Sequence, residues 1–426
     1  MNRSSTLGPI PLLERIVALD VLRGLALLGI LLMNIQSFAM ITAAYLNPTA
    51  YGNLEGVNLW VWSICHLFAD QKFLSIFSLL FGAGILLLTQ RAESEGRRAG
   101  WLHFRRMFWL LLFGLCHAYL VWHSDILVSY AVCAVVVYFF RKIRPFWLMV
   151  WGLLAVGVPS LIFLAAGGSI TYWPPQTLAE MRADWCPTVQ QVSSELGAYR
   201  GEWSGQMAHR LTTAIEFQTF IFLIWTGWRA GGLMLIGMAF LKWGILTAQR
   251  STRFYTVLAV AGCTLGFPLI GLGVMRNFAA NWSLNYSMFL GSQYNYWGSL
   301  LVAVAYVAMI MLIVRSGLLP WLQRGLAAVG RTALTNYLGQ SLLCTLIFYG
   351  HGLGLFGQVE RYQQLVIVIG IWAIEIAASI LWLRRFQYGP MEWLWRSLTY
   401  LRLQPMLRST DSTPTPDKKA PVSLVE

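Results

Sequence analysis

Charged residues are scarce in this chain of 426 residues: Asp, Glu, Lys and Arg together make up only 12% of it. Soluble globular domains carry about 25% charged residues, so this low fraction excludes an ordinary soluble domain. Hydrophobic residues account for 57% of the chain, and 20 residues are tryptophan. Several apolar runs reach the roughly 20 residues that a helix needs to cross a hydrocarbon core. The composition therefore predicts an all-α, polytopic membrane protein.

Paired cysteines and the features of a signal peptide are also missing. The six cysteines contain no CxxC motif, and most lie inside apolar segments, where cysteine behaves as a small hydrophobic residue. We therefore expect neither a metal site nor a disulfide. The first 18 residues contain Pro9, Pro11, Glu14 and Arg15, which does not fit the apolar core of a cleavable signal peptide.

Hydropathy predicts about ten transmembrane helices. Two of these spans, 57–89 and 214–247, exceed a simple crossing, so we expect them to be tilted, broken or extended beyond the membrane. The predicted spans are 19–42, 57–89, 104–122, 125–141, 146–167, 214–247, 254–274, 295–314, 332–350 and 364–383.

Basic residues are distributed unevenly between the predicted loops. Most of the 31 Lys and Arg residues fall before the first span, in alternate loops on that same side, or after the last span. Because basic loops tend to remain in the cytoplasm, both termini are predicted to be cytoplasmic. The same distribution explains the net charge of +13 without a nucleic-acid partner.

The predicted organisation has one membrane domain. Residues 1–18 form a cytoplasmic N-terminal segment, residues 19–402 a single transmembrane domain, and residues 403–426 a disordered cytoplasmic tail, since the tail is polar and rich in proline. Within the domain, residues 168–213 form a long external segment. That segment either caps a cavity or is a loop that tolerates insertion.

The densest group of polar residues in an apolar span is HLFADQKFLSIFS, residues 66–78. His66 and Asp70 are four residues apart, hence on one helical face, where the carboxylate can orient the imidazole as a general base. Asp70 and Lys72 alternatively form a charge-balanced pair at a helix break. Either arrangement offsets the cost of charge at membrane depth.

Two further groups of polar residues are candidate parts of a polar cavity. His117, His123 and Asp125 lie at the outer end of one helix and in the turn that follows. Two His and one Asp resemble a metal-ligand set, but their spacing does not place all three on one helical face, so we expect no metal there. The second group begins a later span and is positioned to line a cavity; its members are Thr335, Asn336, Tyr337, Gln340 and Ser341.

Five segments resemble the YeiB family of bacterial inner-membrane proteins. They occur in order from about residue 14 to residue 402, and they are RIVALDVLRGLALLGILLMN, FADQKFLSIFSLLFGAG, RRMFWLLLFGLCHAYLVWHSDILVSYA, GRTALTNYLGQSLL with FYGHGLGLFG, and RRFQYGPMEWLWRSLTY. The resemblance implies a polytopic helical protein of the bacterial inner membrane.

The pattern LDxLRGxAL at residues 19–27 also resembles the first helix of transmembrane acyltransferases, which include heparan-α-glucosaminide N-acetyltransferase and bacterial O-acyltransferases. Those enzymes pass an acyl group from a cytoplasmic thioester, through a membrane-embedded tunnel, to a sugar or polymer hydroxyl or amine. The resemblance implies that Asp20 and Arg23 organise the cytoplasmic end of the tunnel, with Arg23 meeting a donor phosphate. It also implies that Asn34 lies near the reacting centre and that Asp70 belongs to a second conserved segment.

One position departs from the acyltransferase pattern. The reactive His of those enzymes is aligned eleven residues beyond the Asn, and that position is occupied here by Tyr45. Either His66 takes over the role of the base, or the chain uses the scaffold without that chemistry.

These observations support two main hypotheses. In the first, the chain is an acyltransferase: acyl-CoA binds near Arg23 and Arg331, His66 polarised by Asp70 accepts a proton, and Asn34 or Asn336 stabilises the oxyanion. The acceptor, a small molecule or a lipid-linked group, then approaches beneath residues 168–213.

In the second hypothesis the chain is a transporter or lipid-handling protein that uses the same polar tunnel. A non-catalytic assembly role is a third possibility. In all three, membrane lipids surround the protein, and the acyltransferase resemblance implies a homodimer. The residues predicted to contact substrate are Asp20, Lys72, His117, Asp125, Asn336, Tyr337 and Gln340.

Overall fold

The computed structural model describes residues 16–408 of the chain; residues 1–15 and 409–426, which contain most of the predicted N-terminal segment and tail, lie outside the described part. The described residues are helical and contain no β-strand, apart from one isolated bridge between Phe386 and Leu407. This confirms the predicted all-α fold. The helices are α1 (Val17–Ala39), α2 (Ala43–Leu46), α3 (Gly56–Phe68), α4 (Lys72–Ser94), α5 (Ala99–Leu120), α6 (Leu127–Val137), α7 (Pro145–Ser169), α8 (Pro175–Trp185), α9 (Val189–Arg200), α10 (Trp203–Glu216), α11 (Gly227–Lys242), α12 (Thr252–Ala279), α13 (Leu284–Tyr286), α14 (Ser292–Ser316), α15 (Pro320–Arg331), α16 (Ala333–Phe348), α17 (Arg361–Arg385) and α18 (Pro390–Tyr400).

Seven helical stretches are long and apolar enough to cross a membrane. The other three predicted spans correspond to α5 and to the shorter apolar stretches Leu127–Phe140 and Ala333–Phe348. The seven are Val17–Ala39, Gly56–Ser94, Pro145–Tyr172, Trp203–Lys242, Thr252–Ala279, Leu284–Ser316 and Arg361–Arg385.

Both over-long spans are interrupted. The first breaks between α3 and α4, where Gln71 adopts a left-handed conformation with φ of 64°, a geometry that a residue with a Cβ rarely adopts. In the second, α10 passes through a π-helical stretch, Phe217–Thr226, before α11 begins. A π-helical segment of this kind often marks a functional site.

Helix α1 lies at the centre of the bundle. In the most apolar stretch of α1, 78% of the residues are buried, whereas the figure for the most apolar stretch of α17 is 22%. It packs against α15, α16, α17 and α4. Gly24 permits one of these contacts, because a Cβ at that position would lie 1.9 Å from the Leu326 carbonyl oxygen of α15. The first predicted span is thus an interior helix of the protein.

A second close approach joins α4 to α11. A Cβ on Gly82 would lie 2.0 Å from the Met234 carbonyl oxygen, and a Cβ on Gly237 would lie 1.9 Å from the Leu79 carbonyl oxygen. Small residues allow helix backbones to approach in this way. Gly82 belongs to the segment FGAG, whose small residues permit this close packing.

The two ends of α1 define two sides of the molecule, called here the near side, where α1 begins, and the far side, where α1 ends. The predicted external segment, 168–213, lies on the far side and is mostly helical: it forms α8, α9 and the start of α10. Helix α9 is held against the end of α1, since Glu195 accepts hydrogen bonds from the backbone and hydroxyl of Thr42 at 2.9 and 2.7 Å. The segment covers the far side as a packed layer.

The chain beyond α18 is ordered further than predicted. Disorder was expected from residue 403, but Gln387 donates a backbone hydrogen bond of 2.9 Å to Met406, and Arg408 donates one of 3.0 Å to Arg385. The indole of Trp393 also donates to the Gln404 carbonyl oxygen at 2.8 Å. These hydrogen bonds hold residues 403–408 against α18 and the residues that precede it.

Candidate functional site

The His66–Asp70 pair forms at the break between α3 and α4. His66 Nδ1 lies 3.1 Å from Asp70 Oδ2, the separation that the i, i+4 spacing predicts. The same oxygen accepts a hydrogen bond of 2.7 Å from the side-chain amide of Asn295. The pair is therefore fixed from two helices, α3 and α14.

Two buried cations lie beside this carboxylate. Lys72 donates to the His66 carbonyl oxygen at 2.7 Å and to Asn295 Oδ1 at 2.8 Å, so it reaches Asp70 through Asn295. Arg229, on α11, donates to the hydroxyls of Ser75 and Ser299 at 3.2 and 2.9 Å. The site thus carries more positive than negative charge. Sequence reasoning gave no role to Asn295 or Arg229; the only signal was a polar side chain in each otherwise apolar span.

The Asp70 carboxylate retains an unused acceptor. Its Oδ1 atom is buried and has no hydrogen-bond partner within residues 16–408, and the same holds for Gln71 Oε1. A buried polar atom without a partner is costly. A bound group or a water molecule that donates a hydrogen bond to either oxygen would therefore be stabilised.

A far-side cleft lies two aromatic rings away from His66. The His66 ring stacks on Trp62 with centroids 5.1 Å apart, and Trp62 meets Trp282 edge-on at 5.5 Å. Trp282 lines an open cleft of about 630 Å³ between α8 and the turn after α12. Asn281 and Trp282 both have positive φ, 50° and 48°, a strain that persists where the surrounding structure enforces it. The rings of Trp62 and Trp282 separate the cleft from His66.

Tyr45, which replaces the expected His, lies near the same carboxylate. Burial raises the pKa of its phenol, and the charge of Asp70 acts in the same direction. The residue as a whole is 36% exposed to solvent. Asn34 is half-buried on α1, and no hydrogen bond within the described part of the chain joins it to Asp70.

A second His–Asp pair forms between α5 and the following turn. His117 Nδ1 lies 2.7 Å from Asp125 Oδ1, and Asp125 Oδ2 accepts a hydrogen bond of 2.8 Å from the Val128 backbone. The Tyr337 ring packs 5.2 Å from the His117 ring. Unlike His66, His117 is almost completely enclosed, with a side chain only 2% exposed. The third predicted member, His123, bonds to Ser124 instead.

The polar residues of α16 face two directions. Asn336 donates to Ser379 at 2.9 Å and Gln340 donates to Glu375 at 2.9 Å, so both side chains face α17 rather than joining the His66 site. Tyr337 faces His117. The predicted common cavity wall from Asn336 and Gln340 is therefore a helix-to-helix contact in this structure.

Glu375 itself was missed by sequence reasoning. It is the only acidic residue in α17, only 4% of the residue is exposed, and its Oε1 has no partner among the described residues. A single carboxyl group in an otherwise apolar span is a marker of an ion or substrate pathway, and that was the available signal.

Several arginines gather on the near side. Arg23 lies 2.9 Å from Asp20 and donates to the Gly330 carbonyl oxygen at 3.3 Å. Arg331 follows that glycine and donates to the Gln387 carbonyl oxygen at 3.4 Å. Arg106 lies 4.2 Å over the Trp395 ring, close enough to Arg23 for their charges to interact. The structure thus brings the predicted donor-binding residues, Arg23 and Arg331, into one region.

Within residues 16–408, no group of three or more His, Cys, Asp or Glu side chains is arranged to hold a metal ion.

Comparison with known proteins places the chain among homologues of full length. Residues 240–402 match a family model described as "Protein of unknown function (DUF418)". The chain is 34% identical over 415 residues to "Uncharacterized protein YeiB" of Escherichia coli (strain K12), covering 93% of this chain and 100% of that protein. It is 31% identical over 428 residues to "Uncharacterized protein YxaH" of Bacillus subtilis (strain 168), covering 95% and 99%. The chain therefore belongs to the YeiB family, as its sequence motifs predicted.

Proposed function

We propose that this protein is a transmembrane acyltransferase of the bacterial inner membrane. It would move an acyl group from a cytoplasmic thioester donor to a hydroxyl or amine of a periplasmic or lipid-linked acceptor. The observation that carries the proposal is the His66–Asp70 pair, which lies at a helix break, retains an unused carboxylate oxygen and is separated from a far-side cleft by Trp62 and Trp282.

His66 is the general base in this proposal. The acceptor O–H transfers its proton to the imidazole Nε2 while its oxygen forms a bond with the thioester carbonyl carbon. The C–S bond then breaks, and the thiolate leaves with the proton from the imidazolium, giving an ester and a free thiol. A base must lie within reach of its substrate. The His66 side chain is 16% exposed, whereas His117 is enclosed, so His66 is the better placed of the two.

The groups around His66 have separate roles. Asp70 orients the imidazole and stabilises its charged form. Asn336 is already bonded to Ser379, which leaves Asn34 as the amide available to stabilise the oxyanion. Tyr45, near Asp70, supplies a phenol hydroxyl at the position where the acyltransferases that the first helix resembles carry their reactive His.

The donor is acyl-CoA, and its phosphates bind on the near side. Arg23, Arg106 and Arg331 supply guanidinium groups there, and guanidinium groups bind phosphate through charge-assisted hydrogen bonds. In this arrangement the near side faces the cytoplasm, which agrees with the concentration of basic residues there. A homodimer, which the acyltransferase resemblance implies, remains a prediction.

One observation favours a transporter as the second candidate. Glu375 is a buried carboxyl group in the middle of a membrane helix, with Gln340 as its partner, and acyl transfer at His66 does not require it. Ion-coupled transporters use such groups. In that case flux of a substrate into proteoliposomes would be lost in E375Q, whereas no thiol would be released from acyl-CoA.

The deciding experiment measures thiol release from acetyl-CoA by the purified protein. We expect slow hydrolysis by the wild type and a fall of about 10²–10⁴-fold in H66A, the range typical of a lost general base. His351 is an exposed histidine on the far side, so H351A is the matched control and should keep full activity. Equal rates in H66A and the wild type would refute the assignment.

A further inference from the structure

Arg210 is a buried cation that forms no ion pair within residues 16–408. It lies on α10 at the far side, and only 1% of it is exposed. Its Nη1 donates to the Leu120 carbonyl oxygen at 2.8 Å and its Nη2 to Gln206 Oε1 at 3.1 Å. A third acceptor is Met207 Sδ, 3.5 Å from Nη1; all three are neutral, and Nε has no partner among the described residues. A buried, uncompensated charge is strongly unfavourable, so this position calls for a negative group.

Two buried tyrosines stand beside Arg210. The rings of Tyr199 and Tyr349 lie 4.8 Å apart, and Gln206 connects Arg210 to the Tyr199 carbonyl oxygen through a hydrogen bond of 3.2 Å. Tyr199 is 2% exposed and Tyr349 is 0% exposed. Neither hydroxyl has a partner within residues 16–408. Buried tyrosine hydroxyls normally find a partner, so two unpaired ones beside an arginine indicate a binding position.

A histidine lies beside these two tyrosines. The His209 ring lies 5.3 Å from the Tyr199 ring, and its buried Nε2 also has no partner in the described part of the chain. We define the chamber by Tyr199, His209, Arg210 and Tyr349. Its members come from α9, α10 and the end of α16, so the covering layer of the far side forms one wall of it.

The unpaired groups are mostly hydrogen-bond donors. Arg210 Nε can only donate. Burial raises the pKa of the Tyr199 phenol, so that hydroxyl stays protonated and can donate. Glu195 is the carboxylate whose charge reaches Tyr199 and Tyr349, but its Oε1 already accepts both hydrogen bonds from Thr42. A group that accepts several hydrogen bonds and carries negative charge would satisfy the chamber.

We propose that Arg210 and the hydroxyls of Tyr199 and Tyr349 bind an oxyanion, a carboxylate or a phosphate group, in this chamber on the far side. The site is separate from His66–Asp70 and from the arginines of the near side, and it does not depend on the acyltransferase proposal. Charge-assisted hydrogen bonds from arginine, with hydroxyl donors beside it, are the usual means of holding such a group.

The oxyanion has two sources that an experiment can separate. A free anion, such as phosphate or acetate, would enter from solution. A lipid headgroup would enter from the membrane, since α10 continues through the π-helical stretch into the crossing that ends with α11. Both sources offer the same chemistry to Arg210.

The test measures thermal unfolding and binding with the full-length protein. In detergent, phosphate or acetate is compared with chloride at constant ionic strength; in nanodiscs, phosphatidylglycerol is compared with phosphatidylcholine. We expect the wild type to be stabilised by the anion or by the anionic lipid. In R210Q the apparent Kd should be at least about tenfold weaker, because the charge-assisted contact is lost.

Controls distinguish a specific site from a general salt effect. Arg276 is an exposed arginine and Tyr172 is an 88% exposed tyrosine, so R276Q and Y172F should respond as the wild type does. If R210Q does not fold, the double variant Y199F/Y349F keeps the ring packing and removes only the hydroxyls; it should also bind more weakly. The proposal fails if R210Q, or the double variant where R210Q is unfolded, responds like the wild type. It also fails if the wild type responds to neither anion nor anionic lipid.

Discussion

Asn295 and Asp70 are joined by a hydrogen bond of 2.7 Å from the amide nitrogen to the carboxylate, while the amide oxygen of Asn295 accepts from Lys72 at 2.8 Å. One side chain thus connects a buried anion with a buried cation from another helix. Because Asp70 and Lys72 are both buried, the stability of the fold depends on the neutral Asn295 amide that bonds to both.

Replacing Asn295 should therefore destabilise the protein. N295L keeps the approximate size of the side chain but leaves Asp70 and Lys72 each with one hydrogen bond fewer, at a cost of about 2–4 kcal/mol. The measurement is thermal unfolding in detergent. Asn285 is exposed in the far-side cleft, so N285L is the control and should unfold near the wild-type temperature. An unchanged unfolding temperature for N295L would contradict the proposed connection.

A second prediction concerns the contact between α4 and α11. G237A places a methyl group where a carbonyl oxygen of α4 already lies, so the helices must separate, at a cost of about 1–3 kcal/mol or more. The matched control is G271A, since a Cβ at Gly271 meets no atom within 4 Å. Yield of folded protein and unfolding temperature should fall for G237A alone. Equal behaviour of the two variants would show that this contact is not tight.

The His117–Asp125 pair gives a third prediction. D125N keeps the shape of the side chain but removes the negative charge that orients His117, while the contact with the Val128 backbone can persist through the amide oxygen. We expect a loss of about 1–3 kcal/mol in the free energy of unfolding. Asp184 is exposed on α8, and D184N should have almost no effect. If D125N is as stable as D184N, the contact between His117 and Asp125 contributes little to stability.

Glu392 gives a prediction about pH. Its carboxylate accepts hydrogen bonds from the Leu334 backbone at 2.5 Å and from the Thr335 hydroxyl at 2.6 Å, and burial raises its pKa above the usual 4.5. Folding therefore favours the protonated form. The stability that protonation provides is present below pH 4.5 and is lost as pH rises through the raised pKa.

The glutamine variant isolates this effect. The E392Q side chain does not titrate, so its unfolding temperature relative to the wild type should increase as the pH is raised above 4.5. The measurement is thermal unfolding of both proteins over the same pH series. Parallel curves for the two proteins would contradict the prediction.

The sequence by itself determined the class of fold, the long apolar helices and the family, because the length and periodicity of an apolar segment are local properties that decide whether it can form a membrane helix. The i, i+4 spacing of His66 and Asp70 was also sufficient to place them together, because residues four apart lie on the same side of a helical turn.

Only the tertiary structure decided which polar groups meet across helices. Asn295 reaches Asp70 from 225 residues away, and Asn336 and Gln340 face α17 rather than the His66 site. Arg210 on α10 lies near enough to Tyr349, which follows α16, for their charges to interact. Sequence spacing fixes the face of a helix on which a side chain lies, but the neighbour of that face is set by how whole helices pack. In a bilayer, lipid and helix surfaces are equally apolar, so the pairing of helices is determined by close contacts at small residues and by hydrogen bonds between helices.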